Sequence, residues 1–362
     1  MNTLKKIGLT ALGTSLVAGS AYAGEITASG DAGYTWSSEE VGVRTDEGYG
    51  FNHDITFSGS GELDNGFTVS TTMILIEDTG ISSSNVALGM GGLGTITIGN
   101  GLGNVGGAFD DVTPRAYEEN HDGMKTSTAI DNIGASMDNG QIMYISPAYD
   151  IAGFSASLMA EYAPEASDGA VTDGGVSTSS NLWSSGQGLG VKVSGMGISA
   201  GAYASEKSRD GDAGGATGDS MNATWHVSYS AGPVSIGYQT GGADNALSTG
   251  TRTANSRTGG AEAANTAKLY TTAGGIFEYE KMSIAANVND NFSISWGELK
   301  ETYDAQDDGT IADVEMKSTS IQFAYSMGSM SVKGYMTDTD NPGWDANALS
   351  DEVTELAVGF SF

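Results

Sequence analysis

The chain has 362 residues, and its 45 acidic against 15 basic side chains give a formal charge of −30. Such acidity repels nucleic acid and attracts cations, so we expect no nucleic-acid partner. The absence of Cys and the presence of only 3 His exclude disulfides, thiol catalysis and a metal site built from clustered His. The chain has 54 Gly and 5 Pro beside 15 Tyr, 10 Phe and 5 Trp, a composition that suits strands joined by tight turns rather than disorder.

The N-terminal residues have the pattern of a secretory signal peptide. Two lysines precede an apolar stretch over residues 7–17, and Ala21 and Ala23 are the small residues that a signal peptidase reads. The apolar stretch is too short to cross a bilayer as a helix. We expect cleavage after Ala23, so that residues 1–23 are the signal peptide. Residues 24–362 then form one domain, with 13 basic and 45 acidic residues and a net charge near −32.

Apolar and polar residues alternate with a period of two after the predicted signal peptide. The pattern is clear in residues 25–36, 51–58, 224–229 and 234–239. It is typical of strands that lie between two different environments. No window of useful length has a helical period, so we predict an all-β protein.

Short turn segments alternate along the chain with long polar segments. The short ones lie at residues 63–66, 91–92, 147–153, 195–197, 231–233, 289–291 and 327–329. The long ones lie at residues 38–50, 78–84, 100–140, 164–186, 206–220, 241–275, 304–312 and 340–351. The pattern leaves about sixteen strands, each long enough to cross a bilayer when tilted. Short turns at one rim and long loops at the other predict a single antiparallel transmembrane β-barrel.

The C-terminal segment is predicted to close this barrel. Residues 352–362 alternate in the same way and end at Phe362. An unpaired strand edge in hydrocarbon would leave many backbone groups without hydrogen bonds. We therefore expect residues 352–362 to pair with residues 25–36.

The order of these segments resembles the general porins of the Gram-negative outer membrane, and the acidic, Gly-rich alphaproteobacterial type is the most similar. The resemblance rests on the ending ELAVGFSF at residues 355–362, on LGTITIGN at residues 93–100, and on the turns at residues 288–291 and 327–330. It implies a sixteen-stranded barrel, a homotrimer, and a long third loop folded into the lumen. It also implies passive diffusion of small hydrophilic solutes, without catalysis or a cofactor.

The chain departs from this pattern in its basic residues. Family porins often continue the third-loop strand with Arg or Lys, whereas Asn100 follows Gly99 here. They also carry a cluster of Arg and Lys on the wall that faces the third loop, and this chain has few candidates for it. The usual transverse field across the constriction is therefore in doubt.

Residues 100–140 are the candidate constriction loop. The charged residues of this segment are the acids Asp110, Asp111, Glu118, Glu119, Asp122, Asp131 and Asp138 and the bases Arg115 and Lys125. Inside a narrow lumen such carboxylates concentrate cations and repel anions. The alternative is an ordinary solvated loop on the outer surface. The same carboxylates could hold Ca²⁺ as an incidental feature.

Strand alternation also nominates residues for the pore wall. Charged side chains on the lipid face cost about 2–4 kcal/mol near the bilayer centre, so we expect them to point inward. The nominated wall residues are Asp31, Asp54, Glu161, Lys192, His226, Lys333 and Tyr335. They either contribute to selectivity or only solvate the lumen.

The function predicted from the sequence is that of an outer-membrane porin, and two alternative functions stay open. Its partners are small hydrophilic solutes, cations and outer-membrane lipid, with a preference for cations. One alternative is a substrate-specific outer-membrane channel for a sugar or another nutrient. The other is a secreted acidic adhesin, although a β-solenoid would show a short repeat that we do not find. No nucleophile elbow or phosphate-cradling motif indicates an enzyme.

Overall fold

A computed structural model describes residues 26–42, 44–76, 80–100, 104–122, 137, 140–164, 183–209, 218–244, 276–304, 313–344, 346 and 348–362. The predicted signal peptide lies outside these residues and stays a prediction. Lys125, Asp131 and Asp138 of the candidate constriction loop also lie outside them. Within the described residues, no helix is long and apolar enough to cross a membrane.

Seventeen strand segments make up the fold. They are β1 (Ile26–Val41), β2 (Arg44–Glu62), β3 (Thr68–Ile76), β4 (Gly80–Gly89), β5 (Thr95–Asn100), β6 (Gln141–Ile145), β7 (Tyr149–Ile151), β8 (Phe154–Ala163), β9 (Trp183–Gly195), β10 (Ile198–Arg209), β11 (Ser220–Ala231), β12 (Val234–Asp244), β13 (Ile276–Asn289), β14 (Phe292–Asp304), β15 (Val314–Met327), β16 (Met330–Asp340) and β17 (Asp351–Ser361). Short 3₁₀ turns occur at Gly91–Leu93, Gly106–Ala108 and Pro342–Trp344.

The strands form one closed antiparallel sheet. The strands follow one another around the barrel in chain order, and β17 pairs with β1. Both β6 and β7 pair with β8, so they are two parts of one wall strand interrupted near Pro147. The wall therefore has sixteen strands, which confirms the predicted barrel.

The C-terminal residue completes the closure. The backbone N–H of Gly30 donates to the carbonyl oxygen of Phe362 at 2.8 Å, and the N–H of Phe362 donates to the carbonyl oxygen of Gly30 at 2.9 Å. These bonds extend the pairing of β1 with β17 to the last residue. The predicted pairing of the first and last strands is confirmed.

The short turns lie together at one rim, as the sequence predicted. Gly66, Gly153 and Gly197 have φ values of 80°, 86° and 81° in three of these turns. This left-handed region has no steric cost for Gly. Tight turns here allow each strand to pair with the next one along the chain.

Two of the predicted long loops are wrong. Val41 pairs directly with Arg44, so residues 38–50 lie mostly in β1 and β2. The predicted segment at residues 78–84 likewise becomes part of β4 from Gly80 onward. Near the outer rim both faces of a strand meet water, so a polar composition there does not distinguish a strand from a loop.

Side chains on each strand alternate between the outer surface and the barrel interior. On β11, Asn222, Thr224 and His226 are buried, whereas Trp225 and Val227 are exposed. The exposed set is apolar, as a surface in contact with lipid requires. In the buried set, His226 contacts Phe109 of a segment that fills part of the interior, and this segment belongs to the candidate site.

Candidate functional site

Residues 104–122, which we call the inner loop, run along the inside of the barrel between β5 and β6. Their first attachment is to Glu161 on β8. Its carboxylate accepts from the N–H of Val105 at 2.6 Å and of Gly106 at 3.2 Å. The hydroxyl of Tyr203 on β10 donates to the same carboxylate. Glu161 is 4% exposed on the inside of the wall, and its contacts anchor the loop.

Phe109 is the hydrophobic anchor of the inner loop. Its ring is fully buried and stacks on Tyr203 at 5.4 Å between centroids, with His226 at 6.1 Å. The Nζ of Lys192 lies 4.9 Å from the ring centroid. A Cβ at Gly190 would lie 2.5 Å from this ring, so Gly there leaves room for it. Lys192 and His226 therefore face the interior and contact the loop.

A buried ion pair fastens the middle of the inner loop to β13. The carboxylate of Asp111 contacts Nζ of Lys281, and the two side chains are 0% and 1% exposed. A guanidinium nitrogen of Arg115 lies 3.3 Å from the same carboxylate. Burial alone raises the pKa of Asp111, but the charges of Lys281, Arg115 and His121 outweigh it, so the pKa lies below its usual value. Asp111 is thus an internal anchor that does not face water.

Asp111, Glu119 and His121 are close enough together to be considered as metal ligands. Their ligand atoms lie within 4.8 Å of one another. However, Arg115 lies 3.7 Å from Glu119, and both Arg115 and Lys281 contact Asp111. A divalent cation would be repelled by these two positive charges. The group therefore suits an internal ion-pair network better than the Ca²⁺ considered from the sequence.

Two glutamines on the wall bind the backbone of the inner loop. Gln239 on β12 accepts from the N–H of Val112 at 3.0 Å and donates to the carbonyl of Phe109 at 2.7 Å. Gln322 on β15 accepts from the N–H of Tyr117 at 3.0 Å. Sequence reasoning missed both residues. Both glutamines occupy inward-facing positions of their strands, where the other inward residues are mostly small or polar. That pattern was the signal available in the sequence.

The second half of the inner loop contacts β16 and β17 through Tyr117. Its hydroxyl donates to the carboxylate of Glu355 at 2.9 Å. Its ring lies 6.1 Å from that of Tyr335, and the Nζ of Lys333 lies 5.1 Å from its centroid. The structure thus brings two nominated wall residues, Tyr335 and Lys333, against the loop. Sequence reasoning did not single out Tyr117 or Glu355.

The acids of the inner loop differ in their exposure to water. Asp110, Glu118, Glu119 and Asp122 are each half-buried, unlike Asp111. Burial raises the pKa of Glu118, and the charges of Asp122 and Glu355 raise it further. Burial and the charge of Asp111 likewise raise the pKa of Glu119. These carboxyls keep contact with water in the interior and take up protons more readily than an ordinary glutamate.

The wall formed by β1 to β5 is mainly acidic. Asp31 on β1 lies directly opposite Asp54 on β2 in the strand register, and both follow the inward parity. Glu39 and Asp46 form another directly opposed pair, and they also occupy inward positions. Arg44, at the tip of the hairpin, is the only Lys or Arg between residues 26 and 100. This wall therefore has acids where the family resemblance led us to look for a basic cluster.

A second segment enters the barrel from the connection between β16 and β17. Trp344 is 1% exposed and packs 4.9 Å from the ring of Phe277 and 6.3 Å from that of Tyr303. Both partners are inward residues of β13 and β14. This contact fills part of the interior beside β13 and β14, and nothing in the sequence indicated it.

A closed barrel with a loop held across its interior is consistent with a channel, and comparison with known families decides the assignment. The sequence profile of Gram-negative porins matches residues 8–297. The chain belongs to the Gram-negative porin family. This porin is accordingly an outer-membrane channel for passive diffusion, and the family and fold are those of a non-enzymatic protein. Membership also removes the adhesin alternative.

Solved structures with the same fold cover almost all of the porin. OmpF of Salmonella typhi, in complex with daunomycin, is 14% identical with a TM-score of 0.64 and covers 94% of this chain and 98% of its own. A mutant of Rh. blastica porin is 17% identical with a TM-score of 0.57, and the match covers 93% of this chain and 100% of the mutant. The trimer form of OmpT of Vibrio cholerae is 12% identical with a TM-score of 0.59, covering 94% and 100%. A comparison with curated proteins gives no match.

Proposed function

We propose that this porin is a general diffusion channel that prefers cations over anions. The observation that carries the proposal is the acidic wall that faces the inner loop, with Asp31 opposite Asp54 and no basic residue but Arg44 between residues 26 and 100. Carboxylates on both sides of a narrow aqueous passage hold its potential negative. Cations are therefore concentrated in the passage and anions are excluded from it.

The basic residues of the interior do not cancel this charge. Lys281 is 1% exposed and paired with Asp111. Lys192 and Lys333 lie over the rings of Phe109 and Tyr117 in the inner loop. The charge of Lys281 is offset by Asp111, and Arg115 likewise lies beside Asp111 and Glu119. Lys192 and Lys333 keep their charges, because an aromatic ring does not neutralise an ammonium, but the four half-buried acids of the loop outnumber these two lysines. The half-buried acids of the loop stay in contact with the aqueous passage.

The proposed assembly is a homotrimer in outer-membrane lipid. One neighbour in fold, OmpT of Vibrio cholerae, is described as a trimer form. The outer surface of the barrel carries exposed apolar side chains such as Leu189, Trp225 and Ile321, which suit either lipid or a second protomer. Native mass spectrometry of detergent-extracted protein should give three times the protomer mass, and a protomer mass alone would overturn the trimer.

The selectivity is tested by conductance of the refolded protein in a planar bilayer, with the reversal potential measured across a KCl gradient. We expect stepwise single-channel currents that are proportional to voltage. The reversal potential should have the sign of a channel that conducts K⁺ better than Cl⁻. The double variant Asp31→Asn with Asp54→Asn should move the reversal potential toward zero. Glu352→Gln, an outward residue of β17, is the matched control and should leave it unchanged.

An anion-selective reversal potential would overturn the cation preference and leave the channel itself standing. Conductance that saturates and is blocked by a particular sugar would instead favour the substrate-specific channel considered from the sequence.

A further inference from the structure

The connection between β16 and β17 carries a large aromatic side chain into the barrel. Trp344 is 1% exposed, and its ring centroid lies 4.9 Å from that of Phe277 and 6.3 Å from that of Tyr303. Phe277 lies on the same face of β13 as Lys281, which contacts Asp111 of the inner loop. Trp344 therefore packs on the inner face of the wall.

The strand register places Trp344 at a different level of the passage from the inner loop. Phe277 is the second residue of β13 and pairs with Tyr303, the last residue but one of β14, so both lie near the rim of the long connections. The inner loop binds the same two strands through Ser283 and Ser295, which lie six and eight residues farther from that rim. A solute entering from this rim passes Trp344 before it reaches the second half of the inner loop.

The inner wall behind Trp344 is apolar, unlike most of the interior. Phe277, Leu299, Tyr303 and Met316 are each at most 4% exposed and form one hydrophobic cluster with Trp344. Without the indole, part of this apolar surface would face the water of the passage, which is unfavourable. The inward position of Trp344 is therefore matched by the side chains of three neighbouring strands.

The same connection is attached at two further points. The side-chain amide of Asn341 donates to the carbonyl oxygen of Glu315 on β15 at 2.9 Å. A Cβ at Gly42 would lie 2.7 Å from Cδ1 of Leu349, so Leu349 lies against the tip of the hairpin of β1 and β2. We call residues 341–344 and 348–350 the strap. Its contacts extend from β13 to the tip of this hairpin.

The backbone of the strap is strained where it turns into the barrel. Asn341, Gly343 and Trp344 have φ values of 51°, 69° and 54°. This left-handed region suits Gly, but a bulky residue such as Trp rarely adopts it. Such a conformation persists only where the surrounding contacts hold it. The inward position of the indole thus depends on its packing against Phe277 and Tyr303 and on the freedom of Gly343.

We propose that Trp344 is a size-selecting residue, and that the strap forms a second filter in series with the inner loop. The indole occupies space in the passage that a wide solute would otherwise use. Because the indole carries no charge, this filter acts on the size of the solute. The inference goes beyond the proposed cation preference and does not depend on it.

The test is the swelling of liposomes that contain the refolded protein in solutions of uncharged sugars. The quantity measured is the rate with the trisaccharide raffinose divided by the rate with glucose. Trp344→Ala should raise this ratio at least about twofold, because the width of a pore limits large solutes more than small ones. Trp344→Phe keeps a ring in the hydrophobic cluster and should stay closer to the wild type. Trp225→Ala removes the same side chain from the outward face of β11 and is the matched control, with an unchanged ratio.

If Trp344→Ala does not refold, Gly343→Val tests the filter with the aromatic rings intact. A β-branched residue disfavours the left-handed turn, so the indole should leave the wall and the ratio should rise in the same way.

A wild-type ratio in the refolded variant would overturn the filter. An equal rise in Trp225→Ala would do so too, because it would show a general loosening of the barrel, and so would an equal rise in Trp344→Phe. The reversal potential in a KCl gradient is measured on the same proteins. An anion-selective wild type with a raised sugar ratio in Trp344→Ala would reject the cation preference and retain the filter, and the opposite pair of results would reject the filter alone.

Discussion

Asp111 and Lys281 form a charged pair that is removed from water inside the barrel. Because the two side chains are 0% and 1% exposed, removal of one partner leaves the other as an uncompensated buried charge. Lys281→Met should therefore lower the free energy of unfolding by about 3 kcal/mol, measured by urea denaturation of the refolded protein.

A second substitution tests whether this loss comes from the buried charge. Asp111→Asn together with Lys281→Met should recover part of the stability, because neither charge is then left alone. Lys300→Met, at a position 39% exposed on the outer face, is the control and should change stability little. A double variant as unstable as Lys281→Met would contradict the role of the pair.

The acids of the inner loop should make selectivity depend on pH. The pKa values of Glu118 and Glu119 lie above the usual 4.5, whereas that of Asp111 lies below its usual 3.8. As pH falls from 7, the two glutamates gain protons first, so cation preference should decline at pH values above 4.5. Asp111 has a lowered pKa, so its contribution to stability is present above 3.8 and is lost only as pH falls through its own lower value.

The reversal potential measured from pH 7 downward tests this order of protonation. Glu118→Gln with Glu119→Gln should remove the part of the pH dependence above 4.5. A wild-type reversal potential that stays constant until pH falls below 4.5 would show that these two carboxyls do not set the potential in the passage.

At the scale of elements, the inner loop fits the wall because Gly residues face it. A Cβ at Gly237 would meet the ring of Pro114, and one at Gly297 would meet the side chain of Asn120. Gly237→Ala should therefore push the loop away from β12 and toward the opposite wall, with a loss of about 1–3 kcal/mol in stability and a decrease in single-channel conductance.

Gly92→Ala is the control for this substitution. A Cβ at Gly92, in the turn between β4 and β5, would have no atom within 4 Å. Its stability and conductance should match those of the wild type. Unchanged conductance in Gly237→Ala, despite lower stability, would show that the loop does not limit the passage at this point.

Most of the strands could be predicted from the sequence, whereas the outer ends of β1, β2 and β4 and the contacts across the interior could not. The alternation of apolar and polar residues and the tight turns are local features of the sequence. They therefore indicated the strands, the rim of short turns and the closure at Phe362. Whether an inward side chain meets water or another segment depends on distant parts of the chain. The sequence nominated Glu161 for the pore wall but did not indicate its bonds to Val105 and Gly106, and Trp344 gave no signal of its packing on Phe277.

At the scale of the whole molecule, the barrel depends on the pairing of β17 with β1. Deletion of residues 352–362 would leave β1 and β16 with unpaired edges in the hydrocarbon region, at a cost of several kcal/mol for each unpaired group. We expect this truncated protein to lose the compact, fast-migrating form that a folded barrel shows in unheated detergent gels.

Phe362→Ala is the matched control, because it keeps the backbone bonds between residue 362 and Gly30. It should retain the compact form. A truncated protein with the same mobility shift on heating as the full chain would show that closure does not need the last strand.

The long hairpin of β1 and β2 reaches well beyond the apolar band of the barrel. Its strands have 16 and 19 residues, which at about 3.3 Å per residue and a tilt of about 40° rise roughly 40–50 Å along the barrel axis. The apolar band of such barrels is only about 25 Å tall. The rim at this point is therefore a continuous pair of hydrogen-bonded strands, so a polar stretch that would otherwise be a loop keeps its backbone bonds paired outside the hydrocarbon.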